Sequence, residues 1–330
     1  MQAIFIIFTI ILSVLVALLT HLSYLICRLC ALPWHCHIAY KPFGCATLIL
    51  VLVTILTILY GNKIGRFRHQ VKELEFSHTD VPEAFDGYRI VHISDIHLDS
   101  WQGHQKQLRK RMEEINALDP DLVCFTGDLV SMSADETAPN KDVLSTLKAK
   151  DGIVSVLGNH DYLPYSRNLD KEQRESEIAR IIDFERNGLG WKLLLNENVI
   201  ISKGSDSLMV AGCENQSVGA HSVVTRGDLA KAIAPADKSI FRILLSHDPS
   251  QWRKEVVGQT DIPLTLSGHT HAMQFRLFGW TPSKWLYPEC DGLYTEGGQS
   301  LYVNIGLGGT APLRIGARPE MTLITLKHKD

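Results

Sequence analysis

The sequence predicts an α/β domain with parallel strands, preceded by an N-terminal helical transmembrane region. Three observations lead there. From Tyr88 onward, apolar runs of strand length alternate with segments of helical periodicity, the pattern of a parallel sheet covered by helices. Before Gly61 the only formally charged side chains are Arg28 and Lys41, so the chain of 330 residues has two parts of different chemistry. Five apolar runs end directly in Asp, His or Asn, and open α/β sheets collect ligands beyond the C-terminal ends of their strands.

The first part, residues 1–60, reads as membrane. Residues 3–27 are apolar apart from Thr9, Ser13, Thr20, His21, Ser23 and Tyr24, and residues 43–60 form a second apolar run. A bilayer span needs about 20 such residues, within a range of about 17–25, so both fit. Pro33, Trp34 and Tyr40 mark an interfacial loop between them. A signal peptide is the alternative for the first run, but it lacks a basic leading segment and its apolar core is too long. Lys63, Arg66, Arg68 and Lys72 follow the second run, against Arg28 and Lys41 near the loop. The richer side faces the cytoplasm, which predicts a multi-pass protein of the cell membrane with its C-terminal domain inside. The formal net charge of −3 offers no basic field for nucleic acid. The seven cysteines are odd in number and scattered, so they form no disulfide framework. Cys27, Cys30, His35, Cys36 and His37 are of metal-ligating types, but interfacial histidines and small apolar cysteines explain them more simply.

Residues 61–87 read as a polar linker and residues 88–330 as the folded domain. Residues 88–93 form a strand ending in Ser94-Asp95. Leu108, Met112, Ile115 and Leu118 recur at helical spacing, predicting a helix over 105–117 that Asp119-Pro120 stops. A strand at 122–125 ends in Thr126-Gly127-Asp128, and a helix over 141–149 leads to a strand at 153–157. The second half predicts helices at 171–187 and 226–234, with strands at 192–201, 208–212, 242–246, 262–267, 301–305 and 321–326.

The chemistry falls at the strand ends: Asp95-Ile96-His97, Gly127-Asp128, Gly158-Asn159-His160-Asp161, Ser246-His247-Asp248 and Gly268-His269-Thr270-His271. Carboxylate and imidazole together suit borderline divalent ions such as Mn²⁺, Fe²⁺ or Zn²⁺. Asp95 and His97 are two apart, so on an extended chain both reach one ion. His269 and His271 repeat that spacing and can give one imidazole to each of two ions. Asp128, with two oxygens, can bridge a pair, and Gly127 lets the backbone come close. Two ions clamp the attacking and leaving oxygens of a phosphoryl group and supply hydroxide near neutral pH.

The ordered series DxH, GD, GNHD, H and GHTH resembles the calcineurin-like metallophosphoesterase superfamily, over Tyr88 to the end. Each piece is weak alone; all five in order are specific. The resemblance implies a four-layer α/β/β/α sandwich with two divalent ions, Mn²⁺ first among Fe²⁺, Zn²⁺ and Mg²⁺. Asp95, His97 and His271 would hold one ion and Asn159, His247 and His269 the other, with Asp128 between them. His160 would be the catalytic imidazole, oriented by Asp161. Residues 87–98, together with Pro312-Leu313-Arg314-Ile315-Gly316 and Pro319-Glu320, are similar to membrane-associated bacterial phosphodiesterases of this superfamily. Some of these cleave the diphosphate of UDP-2,3-diacylglucosamine, which implies a phosphoester substrate that is lipid-linked, met at the membrane. One departure is Ala272-Met273, where many relatives have Gly-Gly.

Other readings stand beside these. A phosphoesterase fold that lost catalysis and became a scaffold would lack ligands, and here the full set is present. His92 reads as a strand residue of the core or the surface, His104 and His221 as loop residues, and Asp248 as a turn residue. Gly306, Gly308 and Gly309 either approach the metals or form a tight turn. The apolar stretches 275–280 and 285–287 are an acyl-chain groove, a surface that dips into the bilayer, or a covered core segment.

Overall fold

The computed structural model describes residues 2–219, 223–234 and 240–329, so His221 lies outside the described residues. It divides into two compact units, Met1–Arg66 with Pro312–Ile315, and Phe67–Ala311 with Gly316–Asp330.

The helical unit is a pair, α1 (Gln2–Ala31) and α2 (Lys41–Lys63). Pro33 ends the first beyond its last turn, and Pro42 in the first turn of α2 has no N–H to leave unpaired. At 1.5 Å per residue the helices run about 45 and 35 Å, enough for a hydrocarbon core of about 30 Å. Both outrun the expected 3–27 and 43–60, because hydropathy marks the apolar stretch whereas backbone hydrogen bonding continues through polar flanks such as Arg28 and Lys41. Thr20 Oγ1 and Thr47 Oγ1 lie 2.6 Å apart between the helices. Tyr24 packs edge-on against Tyr40 and Phe43. Outward side chains such as Ile11 and Leu48 are apolar and exposed. The closing motif belongs to this unit: Arg314 N donates to Gly61 O at 3.1 Å, and Asn62 Nδ2 donates to Pro312 O at 2.5 Å.

The second unit carries two six-stranded sheets. The first holds β1 (Gln70–His78), β2 (Arg89–Ile93), β3 (Leu122–Phe125), β4 (Ile153–Ser155), β5 (Lys192–Leu193) and the last strand in the chain, in the order β1, last strand, β2, β3, β4, β5. The second holds β6 (Glu197–Lys203), β7 (Asp206–Gly212), β8 (Phe241–Leu245), β9 (Leu264–Ser267), β10 (Gly292–Glu296) and β11 (Gln299–Val303), in the order β10, β11, β9, β8, β7, β6. The last strand is β12 (Glu320–His328). β2 to β5 are parallel, as are β7, β8, β9 and β11, and β12 runs antiparallel to β2.

Strand parity builds the layers. On β2, Ile90 faces the other sheet while Val91 and Ile93 face helices; on β3, Leu122 and Cys124 face in while Val123 and Phe125 face out. The outer side packs on α3 (Gln105–Ala117) through Leu108, Met112 and Ile115, on α4 (Lys141–Leu144) and on α5 (Lys171–Asp183). On the far face of the second sheet, Met209, Leu244 and Val303 meet Trp252 and Val256. The result is the four-layer α/β/β/α sandwich.

The expected linker needs correction, since β1 lies within it and pairs with β12 from Gln70↔Glu320 to His78↔His328. Leu74 and Phe76 turn inward while Val71, Glu73 and Glu75 turn out, so a half-exposed edge strand looked like a polar connection. β10 was also unannounced: Tyr294 is its principal inward side chain. The 192–201 run is broken at Asn196, which is left-handed at φ 58°, and this separates β5 from β6.

Candidate metal centre

Every ligand candidate follows a strand of the second unit, and the loops meet at one edge of both sheets. Asp95 and His97 follow β2, Asp128 follows β3, Asn159 follows β4, His247 follows β8, and His269 and His271 follow β9. Parallel pairing of these strands puts their C-terminal ends side by side.

The donor atoms converge in two groups. In one, His97 Nε2 and His271 Nε2 are 3.1 Å apart, and Asp95 Oδ1 is 3.8 and 3.3 Å from them. In the other, Asn159 Oδ1 lies 3.2 Å from His247 Nε2 and 2.8 Å from His269 Nδ1. Asp128 Oδ2 reaches both groups, 3.5 Å from His97 Nε2 and 3.3 Å from His247 Nε2.

The remaining polar atoms of these side chains are already held, which aims the free atoms at the centre. His247 Nδ1 donates to Thr126 O at 2.6 Å. His269 Nε2 pairs with Tyr287 Oη at 2.8 Å, which leaves Nδ1 for the cluster. Asp95 Oδ2 accepts the His269 N–H at 3.0 Å, whereas its buried Oδ1 has no hydrogen-bond partner. A carboxylate oxygen buried without a donor, facing two imidazole nitrogens, fits a cation.

The electrostatics point the same way. Burial pushes the Asp95 carboxyl up to about 6, with the Asp128 charge adding to it against His247. At Asp128 burial also acts upward, but His247, His160 and His97 hold its carboxyl well below the usual range. His247 answers: burial would lower it, yet Asp128 and Asp95 hold its imidazole up to about 10. Two buried carboxylates demand positive charge here, and a divalent ion supplies more of it than one imidazolium.

The local backbone differs from expectation. Asp95, His97, Asp128, His269 and His271 all have positive φ, between 47° and 73°. Strand alternation therefore does not bring Asp95 and His97 together, since the chain has left β2 and turns left-handed at both. Gly127, at φ 90°, lies so close to Gly158 that a Cβ would sit 2.3 Å from the Gly158 N. Gly306 resolves its two readings toward the site, because a Cβ there would lie 2.7 Å from Asp95 Cβ and 3.2 Å from His271 Nδ1. The Ala272-Met273 departure is costly in the same way, with both residues left-handed at φ 49° and 48°.

His160 borders the cluster, its ring edge-on to His97 at 4.8 Å and against Tyr165 at 4.7 Å. Its Nδ1 donates to Ser131 O at 2.8 Å, so Nε2 is the ring nitrogen not engaged by that carbonyl. Asp161 does not orient that ring. Its buried carboxylate accepts the N–H groups of Asp128 at 2.8 Å, Gly158 at 2.9 Å and Val130 at 3.1 Å. It ties the Asp128 loop to the Asn159 loop; three converging amides outcompete a ring that already has a carbonyl partner.

Three participants were not foreseen as such. Asp248 caps a turn through Ser250 N at 2.9 Å, but its other oxygen also lies 3.6 Å from His269 Nε2. Its place directly after His247 was the available signal. Tyr287 and Tyr165, which is 3.3 Å from Asn159 Nδ2, had none. His92 is a core residue, fully buried and bonded to Thr126 Oγ1 at 2.9 Å, and burial brings its imidazole down to about 3. Among the described residues, the clusters of His, Cys, Asp and Glu close enough to hold a metal are drawn from Asp95, His97, Asp128, His160, His247, His269 and His271.

Residues 88–273 match the family described as calcineurin-like phosphoesterase. The chain belongs to that family. As a calcineurin-like phosphoesterase it is a metal-dependent hydrolase. Its relatives include the Bacillus subtilis metallophosphoesterase YkuE, 32% identical over 76% of this chain and 82% of that protein. A transmembrane protein with metallophosphoesterase domain from Danio rerio is 29% identical over 86% of this chain and 63% of its own length. The UDP-2,3-diacylglucosamine pyrophosphatase LpxG of Chlamydia trachomatis is 28% identical over 83% of this chain and 94% of its own.

Proposed function

We propose that this calcineurin-like phosphoesterase uses two divalent ions to hydrolyse a phosphodiester or diphosphate bond on a lipid-linked substrate at a membrane surface. The observation that carries the two-ion reading is Asp128 Oδ2, a single buried oxygen within 3.5 Å of both donor groups. Asp95, His97 and His271 would hold one ion, Asn159, His247 and His269 the other, and Asp128 would serve both. When bound, such a pair lowers the pKa of a coordinated water and neutralises phosphoryl oxygens. Mn²⁺ is the first candidate, since mixed imidazole and carboxylate donors accept it alongside Fe²⁺ and Zn²⁺.

His160 supplies the proton. With Nδ1 donating to Ser131 O, an added proton sits on Nε2, and from there it passes to the leaving oxygen. Asp161 is a positioning residue that keeps Asp128 and Asn159 in register. The membrane surface is supported by α1 and α2, each long and apolar enough to cross a bilayer. Lys63, Arg66, Arg68 and Lys72 support a two-span anchor with the hydrolase domain on the cytoplasmic side. The LpxG relative's name supports the lipid-linked diphosphate.

Purified full-length protein is expected to hydrolyse bis(p-nitrophenyl) phosphate with Mn²⁺ and to carry two metals per chain by elemental analysis. His160→Ala should lower kcat by about 10²–10⁴-fold while retaining both metals. No turnover with any of Mn²⁺, Fe²⁺ or Zn²⁺ would remove the enzyme reading in favour of a scaffold. Release of UMP from UDP-2,3-diacylglucosamine tests the lipid-linked substrate separately. A C-terminal fluorescent-protein fusion that glows, beside an inactive alkaline phosphatase fusion, is the result expected for the cytoplasmic orientation.

A further inference from the structure

The segment between His271 and Tyr287 leaves the metal centre and returns to it. Its start is held by Thr281 Oγ1, which donates to Ala272 O at 2.6 Å, and its end by Tyr287 Oη against His269 Nε2 at 2.8 Å. Between these pins it presents apolar groups outward. Leu277 and Trp280 exchange backbone hydrogen bonds, both 2.9 Å, and close a tight hairpin with Phe278 and Gly279 at its tip. Phe278 is 100% exposed and Trp285 77% exposed. Trp280 stacks edge-on against Trp285 with centroids 5.1 Å apart. Lys284 stands exposed beside them.

A loop meant only to cap a core would turn these rings inward, since burying apolar surface is favourable. Instead the hairpin leaves Phe278 fully exposed, at left-handed φ 49°. Tryptophan flanked by lysine is the composition of the interfacial belt of bilayers, where the ring is buried and the polar edge stays wet. We propose that this hairpin is a second membrane contact, independent of the two helices. Phe278, Trp280 and Trp285 enter the headgroup and acyl boundary, and the adjoining metal centre meets phosphoesters that remain seated in the lipid. The occupant of the patch is the bilayer surface. The link to substrate rests on the lipid-linked reading above; the membrane contact itself does not.

The test uses the full chain in vesicles of phosphatidylcholine and phosphatidylglycerol containing a headgroup-level nitroxide lipid. Of the six tryptophans, Trp101, Trp191 and Trp252 are buried, so a Trp34→Phe background leaves Trp280 and Trp285 as the exposed emitters. Adding Trp280→Phe and Trp285→Phe should cut the quenched fraction of emission roughly twofold or more, as expected for rings at the interface. Equal quenching with and without these rings overturns the proposal. A difference seen only at densities where copies self-associate also overturns it, in favour of a second copy of the chain. The variant Phe278→Asp with Trp285→Ser should keep hydrolysis of soluble bis(p-nitrophenyl) phosphate and lose about tenfold on a nucleoside diphosphate-diacylglycerol in the same vesicles. Equal loss on both would overturn the substrate-presenting role. A parent enzyme inert toward every phosphoester defeats the proposed function instead, and the quenching result still decides the membrane contact.

Discussion

The core between the two sheets and the cradle of the metal centre lie a few residues apart on the same strands, yet opposite rules build them. In the core, Ile90, Cys124, Ile243, Leu245 and Leu266 sit on extended backbone, fully buried, among apolar neighbours. In the cradle, five candidate ligand residues adopt left-handed backbone, and buried carboxylates face imidazoles with Asp95 Oδ1 left without a hydrogen bond. A residue held in such a conformation costs on the order of 1–3 kcal/mol, and that cost is tolerated where the surroundings over-determine the geometry. The core thus supplies the stability that the cradle draws on, and function and stability should separate under mutation.

The largest separation is expected for Asp128→Asn. Loss of the shared charge should reduce kcat by about 10³-fold or more, the scale of removing a central electrostatic group. The melting temperature of the metal-free protein should fall by only a few degrees, because Asn keeps an oxygen for the His160 N–H while the His247 imidazolium loses its carboxylate partner. A variant that unfolds instead would make Asp128 part of the fold. The reverse case is Ile243→Ala between the sheets. It should destabilise by about 2–5 kcal/mol in denaturant titration while the folded fraction keeps its specific activity.

A third variant probes a buried acid outside both regions. Glu185 is fully buried against Ser155 Oγ at 2.5 Å, and burial, with Asp161, raises its carboxyl well above the usual value. The native state therefore binds a proton that the unfolded chain releases above about 4.5, so stability falls as pH rises from there toward the raised native value. Glu185→Gln keeps the shape without the titration. Its stability advantage over the parent should grow with pH across that window, read as melting temperature against pH. A constant difference would mean that Glu185 is ionised in the fold. The smallest effect is expected at Ala272→Gly and Met273→Gly, each relieving left-handed backbone and raising stability by about 1 kcal/mol. Unchanged or lower stability would show that neighbouring packing already compensates.

What the sequence revealed follows the same division. Strands buried on both faces announce themselves as short apolar runs, so β2, β3, β8 and β9 were legible, as was α3 with its bounds. The residues that converge at the candidate metal centre were legible because the polar residues interrupt those runs abruptly. β1 was not, because an edge strand with Glu73 and Glu75 outward has the composition of a connection. The route by which Asp95 and His97 converge was hidden as well, since left-handed turns at Asp and His leave no mark in residue type. Asp161 was found as a member of the site, but its three amide partners depend on loops that only the tertiary structure brings together.

The position of β12 has a consequence for how the protein is made. This strand, Glu320–His328, is inserted between β1 and β2, and among the described residues it is the only pairing partner of β1. During synthesis β1 emerges about 250 residues before its neighbour and must wait for it with an unpaired edge. Such long-range closure is slow and leaves an exposed strand open to wrong partners. Lys72, Glu73 and Glu75 place along β1 the kind of charge that discourages wrong pairing at an open edge, and in the closed sheet Lys72 lies 2.7 Å from Glu320.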